Sequence, residues 1–353
     1  MLDIFIFCAE ISGDSLAYNY VQDLIKKNPS LKISGVLGPK LSTLKIEKFM
    51  DIERINVMGF IAVFKKMYSL IRIFYAIRRK ILSQAPKQLL LVDAPDFSLR
   101  LAKSLKKAGY KGHIIQYVCP SIWAWRTSRK QMIEKYIDEL LCLLKFEPAL
   151  FKNSPVVAKS VTHPMLKEIE NYNYPFTLKE VKGKKVLLLL PGSRTSEIKK
   201  HLPLQLQVAQ QFKQLTTCIL ISHAKHLITI TKILIKYKTY PMLVEPAAKF
   251  DIMKKAHIAL AKCGSCNLEL ALHKTPSIIM YCPTPVERFL AKHLFKLDLK
   301  YFSLPNIIFN KAVFKEHIKY KPSKNSLTTS LKTLLSKNTY SECKNNCDDL
   351  IQY

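Results

Sequence analysis

The sequence predicts an α/β fold of two doubly wound, parallel-sheet domains. Short β-rich apolar runs alternate with longer helical patterns, and the same rhythm restarts after a polar, aperiodic stretch. The 353 residues suffice for both cores at roughly 100–200 residues per domain. In the first half Ile4–Glu10, Lys32–Gly38, Gln88–Ala94 and His113–Cys119 read as strands, with helices at Ser15–Lys27, Phe60–Leu82 and Leu99–Ala108. In the second, Lys185–Arg194, Thr217–Ser222, Pro241–Glu245, His257–Ser265 and Ser277–Cys282 read as strands with helical patterns interleaved. Such alternation lays helices on both faces of a parallel sheet. The boundary falls in Glu170–Lys184, which is polar, contains Pro175 and Gly183 and shows neither period, giving domains 1–172 and 173–353. Beyond Phe314 Lys, Asn and Ser accumulate, with a helical patch at Ser326–Leu335 and a loose end after Ser336.

A hydrophobic content of 48% excludes disorder as the main state. No run approaches the ~18 apolar residues of a spanning helix. The segment MLDIFIFCAE lacks a basic leader and cleavage site, so a cytoplasmic protein is expected. Nine scattered cysteines suggest reduced, structural thiols rather than a disulfide framework. The 56 Lys+Arg against 26 Asp+Glu leave a formal charge of +30. That charge attracts an anionic partner (nucleic acid, lipid headgroups or phosphorylated substrates), or is simply solvated lysine. No recognised nucleic-acid-binding module is present, so no nucleic-acid partner is expected.

In doubly wound sheets ligands sit beyond the carboxyl ends of strands, so the residues just after each strand carry the candidates. Glu10-Ile11-Ser12-Gly13-Asp14-Ser15 enters a helix and offers backbone donors to an anion or a sugar hydroxyl, or caps that helix. Asp93-Ala94-Pro95-Asp96 places two carboxylates at a strand end, one able to accept a proton from a hydroxyl nucleophile, or one capping the next helix. Pro191-Gly192-Ser193-Arg194 combines close backbone approach, a hydroxyl and a guanidinium fork suited to phosphate, without Walker A or Gly-x-Gly-x-x-Gly spacing. Cys263-Gly264-Ser265-Cys266 reads as a helix opening toward a phosphate, with Glu269 placed for ribose hydroxyls. A lone Cys-x-x-Cys is weak support for metal or redox chemistry, and no metal is expected.

Between these motifs, Phe60, Val63, Met67, Leu70, Phe74, Ile77 and Ile81 form one apolar helical stripe, widened by Ile61, Phe64, Ile71 and Ile73 and flanked by Lys65, Lys66, Arg72, Arg78, Arg79 and Lys80. A core-facing helix and a helix resting on an anionic membrane both fit. Trp123 and Trp125, near Arg126 and Arg129, suit either packing or an aromatic-basic wall for acyl and phosphate groups.

Taken together, Ala9–Asp14, Val57-Met58-Gly59, Asp93–Phe97, Pro120–Arg126, Leu190–Arg194 and Ser303-Leu304-Pro305-Asn306 resemble the lipid-A-disaccharide synthase family, in its order, over residues 4 to about 315. The resemblance implies a GT-B glycosyltransferase of two Rossmann-like domains facing across a cleft, metal-independent, without cofactor, inverting, and peripheral on the inner face of the Gram-negative inner membrane. The first domain would face acceptor and membrane, the second would hold the UDP-sugar donor. The implied reaction joins UDP-2,3-diacylglucosamine to 2,3-diacylglucosamine 1-phosphate, giving a β(1→6) tetraacyl disaccharide 1-phosphate and UDP. By resemblance Asp93 is the general base and Arg194, with Gly192 and Ser193, stabilises the departing UDP. Glu269 would hold ribose, Gly264 and Ser265 the diphosphate, and Asn306 would complete the donor site. Glu10, Ser12, Gly13 and Asp14 would line the acceptor side, with Asp96, Trp125 and Arg126 nearby. A homodimer with exchanged C-terminal segments is also implied.

The chain departs from the family at Ala62, where Glu is frequent, at Thr162-His163-Pro164 with Lys167, where Gly-His-Pro and a nearby Asp are usual, and at Cys263-Gly264-Ser265, where Ser-Gly-Thr is common. A UDP-sugar 2-epimerase shares the fold but has no need of the basic amphipathic 57–82 segment.

Overall fold

All nine predicted strand runs form strands in the computed structural model, which describes residues 2–55, 60–123, 126–289, 299–318 and 322–351. In chain order the first seven strands are β1 (Ile4–Cys8), β2 (Ile33–Leu37), β3 (Glu47–Asp51), β4 (Gln88–Val92), β5 (His113–Tyr117), β6 (Glu139–Cys142) and β7 (Val157–Ser160). They make one parallel sheet in the order β3-β2-β1-β4-β5-β6-β7. The next six are β8 (Val186–Leu190), β9 (Thr216–Leu220), β10 (Met242–Val244), β11 (Ile258–Lys262), β12 (Ser277–Met280) and β13 (Lys315–His317). They make a second parallel sheet, ordered β10-β9-β8-β11-β12-β13. Each sheet belongs to its own unit, Met1–Lys167 or Glu168–Tyr353.

β1, β2 and β8 are buried at every position, because helices cover both sheet faces and leave no solvent side for polar residues. Each fully buried Phe, Leu or Ile contributes about 1.5–3 kcal/mol. Four strands escaped the sequence reading. β3 and β7 are edge strands with no buried residue, β13 is a three-residue edge, and β6 is only the four residues ELLC.

The helix Ile11–Lys27 starts at Ile11 rather than Ser15, with Glu10 extended at its N-cap, so Ser12, Gly13 and Asp14 lie in its first turn. The expected boundary after residue 172 falls inside the second unit. There the Tyr172 hydroxyl donates to buried Asp251 at 2.6 Å and the Phe176 amide to the same carboxylate at 3.1 Å, pinning a stretch whose composition reads as linker. The end after Ser336 is not loose: Lys337–Ile351 is helical, and its Cys343 and Cys347 are buried. A narrow stripe of Tyr340, Cys343 and Cys347 supplies the apolar face that a polar composition hid.

Helix Phe60–Gln84 faces the core along one side and exposes large side chains along another. Ile77 and Ile81 are fully buried and Leu70 and Phe74 pack on the core, while Tyr68 (74% exposed), Ile71 (47%) and Tyr75 (56%) face solvent. The motif Val57-Met58-Gly59 and Trp125 lie outside the described residues, as do the side chains of residues 60–67, which include Ala62. No described helix is long and apolar enough to cross a membrane.

Candidate active site

β1 and β4 are neighbours whose chains leave in opposite directions, so their carboxyl ends border the crevice of a topological switch point. Asp93 and Ala94 stand there with φ of +50° and +44°. Two successive left-handed residues other than glycine store strain of about 1–3 kcal/mol each, and such strain concentrates at functional sites. Hydrogen bonds hold them in place. The Asp93 amide donates to the Tyr117 carbonyl (2.9 Å), and its carbonyl accepts from Ser98 Oγ (2.8 Å) and Gln116 Nε2 (3.3 Å). Gln116 is fully buried, and the same nitrogen lies 3.3 and 3.4 Å from the Tyr117 and Val118 carbonyls, tying β5 to the Asp93 turn. Pro95 then starts helix Pro95–Lys107 with a preset φ.

The two carboxylates of this turn differ. Burial pushes Asp93 above the usual aspartate range; the Ala94 amide opposes this, Glu10 adds to it, and Arg129 opposes it. Partial burial also works to raise Asp96, but hydrogen bonds and charge from Arg129 and Arg126 win and hold it below that range. Arg126 Nη1 lies 2.6 and 2.8 Å from the Asp96 oxygens, and Arg129 Nη2 lies 2.8 Å away. Asp96 is therefore committed to a guanidinium cluster while Asp93 is the more basic group, a divergence typical of acid/base sites.

Glu10 and Ser12 are exposed beside this turn, the Ser12 hydroxyl 3.4 Å from Glu10 Oε2. A Cβ on Gly13 would sit 3.4 Å from Val92 Cγ1 and 3.9 Å from Asp93 Cβ, so the first helical turn packs directly on the Asp93 turn. Asp14 requires a correction. It is fully buried, and its carboxylate accepts from the backbone amides of Gly38 (2.8 Å), Lys40 (2.8 Å) and Leu41 (3.3 Å), fastening the loop after β2. It holds the fold rather than lining an acceptor surface. Asp14→Ala is expected to destabilise the protein by about 3 kcal/mol, since it strands the amides of Gly38, Lys40 and Leu41, two of them buried; urea unfolding measures it, and an unchanged midpoint contradicts the latch.

Trp123 donates from Nε1 to Glu147 at 3.2 Å and packs edge-on against Phe146. Glu147 also accepts from the Leu144 amide (3.1 Å), and burial pushes its carboxyl up to about 7. Its carboxylate and the thiols of Cys119 and Cys142 lie within 4.8 Å of one another, all buried. His163 accepts the Met165 amide at 3.2 Å, and burial pushes its ring down to about 4, so it caps the following helix as a neutral group.

In the second unit the switch point lies between β8 and β11. Gly192 has φ +125°, and a Cβ there would fall 2.6 Å from Glu197 Oε2. Only glycine fits. The Ser193 amide donates to Glu197 (3.0 Å), Ser222 Oγ to the Gly192 carbonyl (3.2 Å), and His226 Nε2 lies 3.1 Å from the Ser193 carbonyl. Arg194 is the N-cap of the fifteen-residue helix Thr195–Ala209, at its positive end. Its side chain is 69% exposed with Glu197 at 3.8 Å, whereas Lys262, closing β11, makes a 3.1 Å pair with the same Glu197. Burial works to raise Glu197, but Lys262, the Ser193 amide and Arg194 hold it low. Arg194, Lys262, an exposed helix terminus and a rigid glycine turn thus stand together at this strand end, with Glu197 paired to both cations.

On β11's side of that point the Gly264 amide is taken by Asn267 Oδ1 (2.8 Å), Ser265 is exposed, and Glu269 is buried against Lys249 (2.7 Å). Burial pushes the Cys263 and Cys266 thiols up to about 12, which makes them poor ligands and poor nucleophiles. Asn306 is the second correction. Fully buried, it donates to the Phe314 carbonyl (2.7 Å) and Glu316 (2.8 Å) and accepts the Phe314 amide (2.8 Å), so it braces helix Leu304–Phe309 against β13.

The sequence reading missed Gln116, Glu147, Glu197, Lys262, Ser222 and His226. A signal existed for two of them: Gln116 is the lone polar residue inside HIIQYVC, and Lys262 is the one charge ending the apolar run IALAK.

Residues 4–352 match the model of a family described as lipid-A-disaccharide synthetase. The chain is 36% identical over 320 residues to the lipid-A-disaccharide synthase of Chlamydia felis, covering 89% of this chain and 51% of that protein. It thus spans about half the length of the chlamydial relatives it matches. With the synthase of Pseudoalteromonas translucida it shares 30% identity over 344 residues, covering 95% of this chain and 89% of that one. Among solved structures it is similar to Neisseria meningitidis UDP-GlcNAc 2-epimerase bound to UDP-GlcNAc (TM-score 0.61, 11% identity, 100% of this chain and 99% of that one). It is likewise similar to Acinetobacter baumannii MurG (TM-score 0.56, 11% identity, 99% and 98%). These two likenesses concern the fold, which is of the GT-B type. The match over nearly the whole length, with the relatives' identities, means that the chain belongs to the lipid-A-disaccharide synthetase family.

Proposed function

We propose that the chain is an inverting, metal-independent glycosyltransferase that moves 2,3-diacylglucosamine from UDP-2,3-diacylglucosamine to the 6-hydroxyl of 2,3-diacylglucosamine 1-phosphate. The observation that carries this reading is the Asp93 turn, where a strained, hydrogen-bond-locked backbone presents a carboxylate made more basic by burial. Family membership supplies the substrates. Asp93 accepts the acceptor's hydroxyl proton as the oxygen attacks the anomeric carbon. Arg194, the N-terminus of helix Thr195–Ala209 and Lys262 stabilise the charge gathering on the departing UDP. Glu10 and Ser12 face the acceptor, Ser265 the diphosphate, and Glu269 with Lys249 the ribose. The exposed Tyr68, Ile71 and Tyr75, with Arg72 and Arg79 on the same helix, rest on the anionic inner face of the membrane, where the acyl chains are drawn from. A homodimer belongs to the same reading.

The test is incubation of donor and acceptor in detergent with EDTA, with products followed by mass spectrometry. Tetraacyl disaccharide 1-phosphate supports the reading. Epimerised UDP-sugar without disaccharide replaces it with a 2-epimerase, and no product from folded, UDP-binding protein rejects it.

A pH dependence follows from the sign of the Asp93 shift. A base must be ionised, so kcat/KM falls as pH drops through a pKa above the ordinary aspartate range. Glu10→Gln removes a charge that raises that pKa, so the acid limb should move to lower pH. An acid limb unmoved in this variant removes Glu10 from the site.

A further inference from the structure

At the amino ends of β8 and β11, the opposite end of the second sheet from the Gly192 turn, lies a concavity of about 390 Å³. Six lysines line it: Lys184, Lys185, Lys254, Lys255, Lys274 and Lys344. Among the described residues the only carboxylate paired with any of them is Asp348, on Lys274. Like charges gathered so closely repel one another unless an anion sits between them. Two histidines in the wall register the field. Burial, Lys185 and Lys344 depress His257; burial, Lys249 and Lys254 depress His273 against the opposing pull of the Glu269 carbonyl and Asp251. His273 spends Nδ1 on the Glu269 carbonyl (2.7 Å), leaving its buried Nε2 without a partner. His257 stacks on Tyr340, whose helix carries Lys344.

We infer that this concavity is a second anion site, separate from the Gly192 turn, for a soluble molecule carrying several phosphate groups. One phosphate cannot meet six cations spread around a space of this size, whereas a chain or ring of phosphates can. A bilayer is the poorer occupant, because the lining offers no exposed aliphatic group to insert. Lysine rather than arginine suits it, since point charges on flexible stems follow a polyanion of variable geometry.

The experiment is calorimetric titration of the full chain with inorganic tripolyphosphate at physiological salt. One equivalent beyond any taken by the Gly192 turn should bind, and Lys185→Ala/Lys344→Ala should weaken it by roughly tenfold or more, the loss expected for removing charge-assisted hydrogen bonds. Arg194→Ala, in the other anion turn, should leave this binding in place. A control, Lys26→Ala/Lys27→Ala, removes the same charge from the exposed end of the first helix. A loss equal to that of Lys185→Ala/Lys344→Ala reduces the effect to net charge and overturns the site. Binding lost only in Arg194→Ala assigns the anion to the Gly192 turn and overturns it too. Failure of tripolyphosphate to bind, with capture of phosphatidylglycerol vesicles that needs Lys185 and Lys344, makes the surface a bilayer contact instead. Unchanged thermal unfolding of each variant excludes misfolding as the cause.

Discussion

Asp93→Asn is expected to lower turnover by about 10²–10⁴-fold, the range for losing a positioned general base, while UDP affinity stays at the wild-type value. Asparagine is the right substitute because the position demands φ +50°, and asparagine is one of the few residues other than glycine that enter the left-handed region readily. The hydrogen bonds from the Ser98 and Gln116 side chains, which engage only the backbone carbonyl of Asp93, survive the change. Any loss therefore reports the carboxylate and not the turn. Asp93→Ala is the weaker experiment, since it adds backbone strain to the chemical loss. Asp96→Asn serves as comparator: it removes the partner of Arg126 and Arg129, so it should lower thermal stability and reduce turnover less. Activity that survives in Asp93→Asn but vanishes in Asp96→Asn would reverse the assignment of the base. Equal loss of UDP affinity in the Asp93 variant would show that this carboxylate also serves the donor.

The central strands were legible because helices on both faces demand uninterrupted apolar runs, and Phe5, Ile6 and Leu89 sit in such runs. The edges were not, because β3 and β7 bury nothing and so carry no periodicity to read. Position after a strand end was enough to single out Asp93, Gly192 and Arg194 as candidates. Roles were harder. Asp14 and Asn306 belong to recognisable motifs, yet each spends its polar atoms on buried backbone partners. A motif can mark a residue that shapes a site as readily as one that touches substrate, and only the hydrogen-bond partners tell the two apart. Gln116 and Lys262 make the complementary point. Their importance comes from neighbours on adjacent strands that are distant in sequence, Asp93 for one and Glu197 for the other.

Arg194→Ala is expected to weaken UDP binding by about 10–100-fold, the usual loss for hydrogen bonds to a charged group, and to lower turnover further still. The double effect follows from the place of the side chain. Its contact with Glu197 is long at 3.8 Å and it is largely exposed, so removing it leaves the Gly192 turn intact. That turn is held instead by the Glu197 contact with the Ser193 amide, by Ser222 and by His226. Thermal unfolding should accordingly be unchanged in Arg194→Ala. Lys262→Ala makes the contrast, because it strips nearly buried Glu197 of its short-range cation, and it should lower stability as well as affinity. Arg194→Lys should recover part of the UDP affinity but less of the turnover, since an ammonium supplies charge without the planar fork that grips two phosphate oxygens. Calorimetric UDP titration beside steady-state turnover separates these cases. Wild-type UDP affinity in Arg194→Ala, with the loss confined to Lys262→Ala, would move the diphosphate from the tip of the turn to the end of β11.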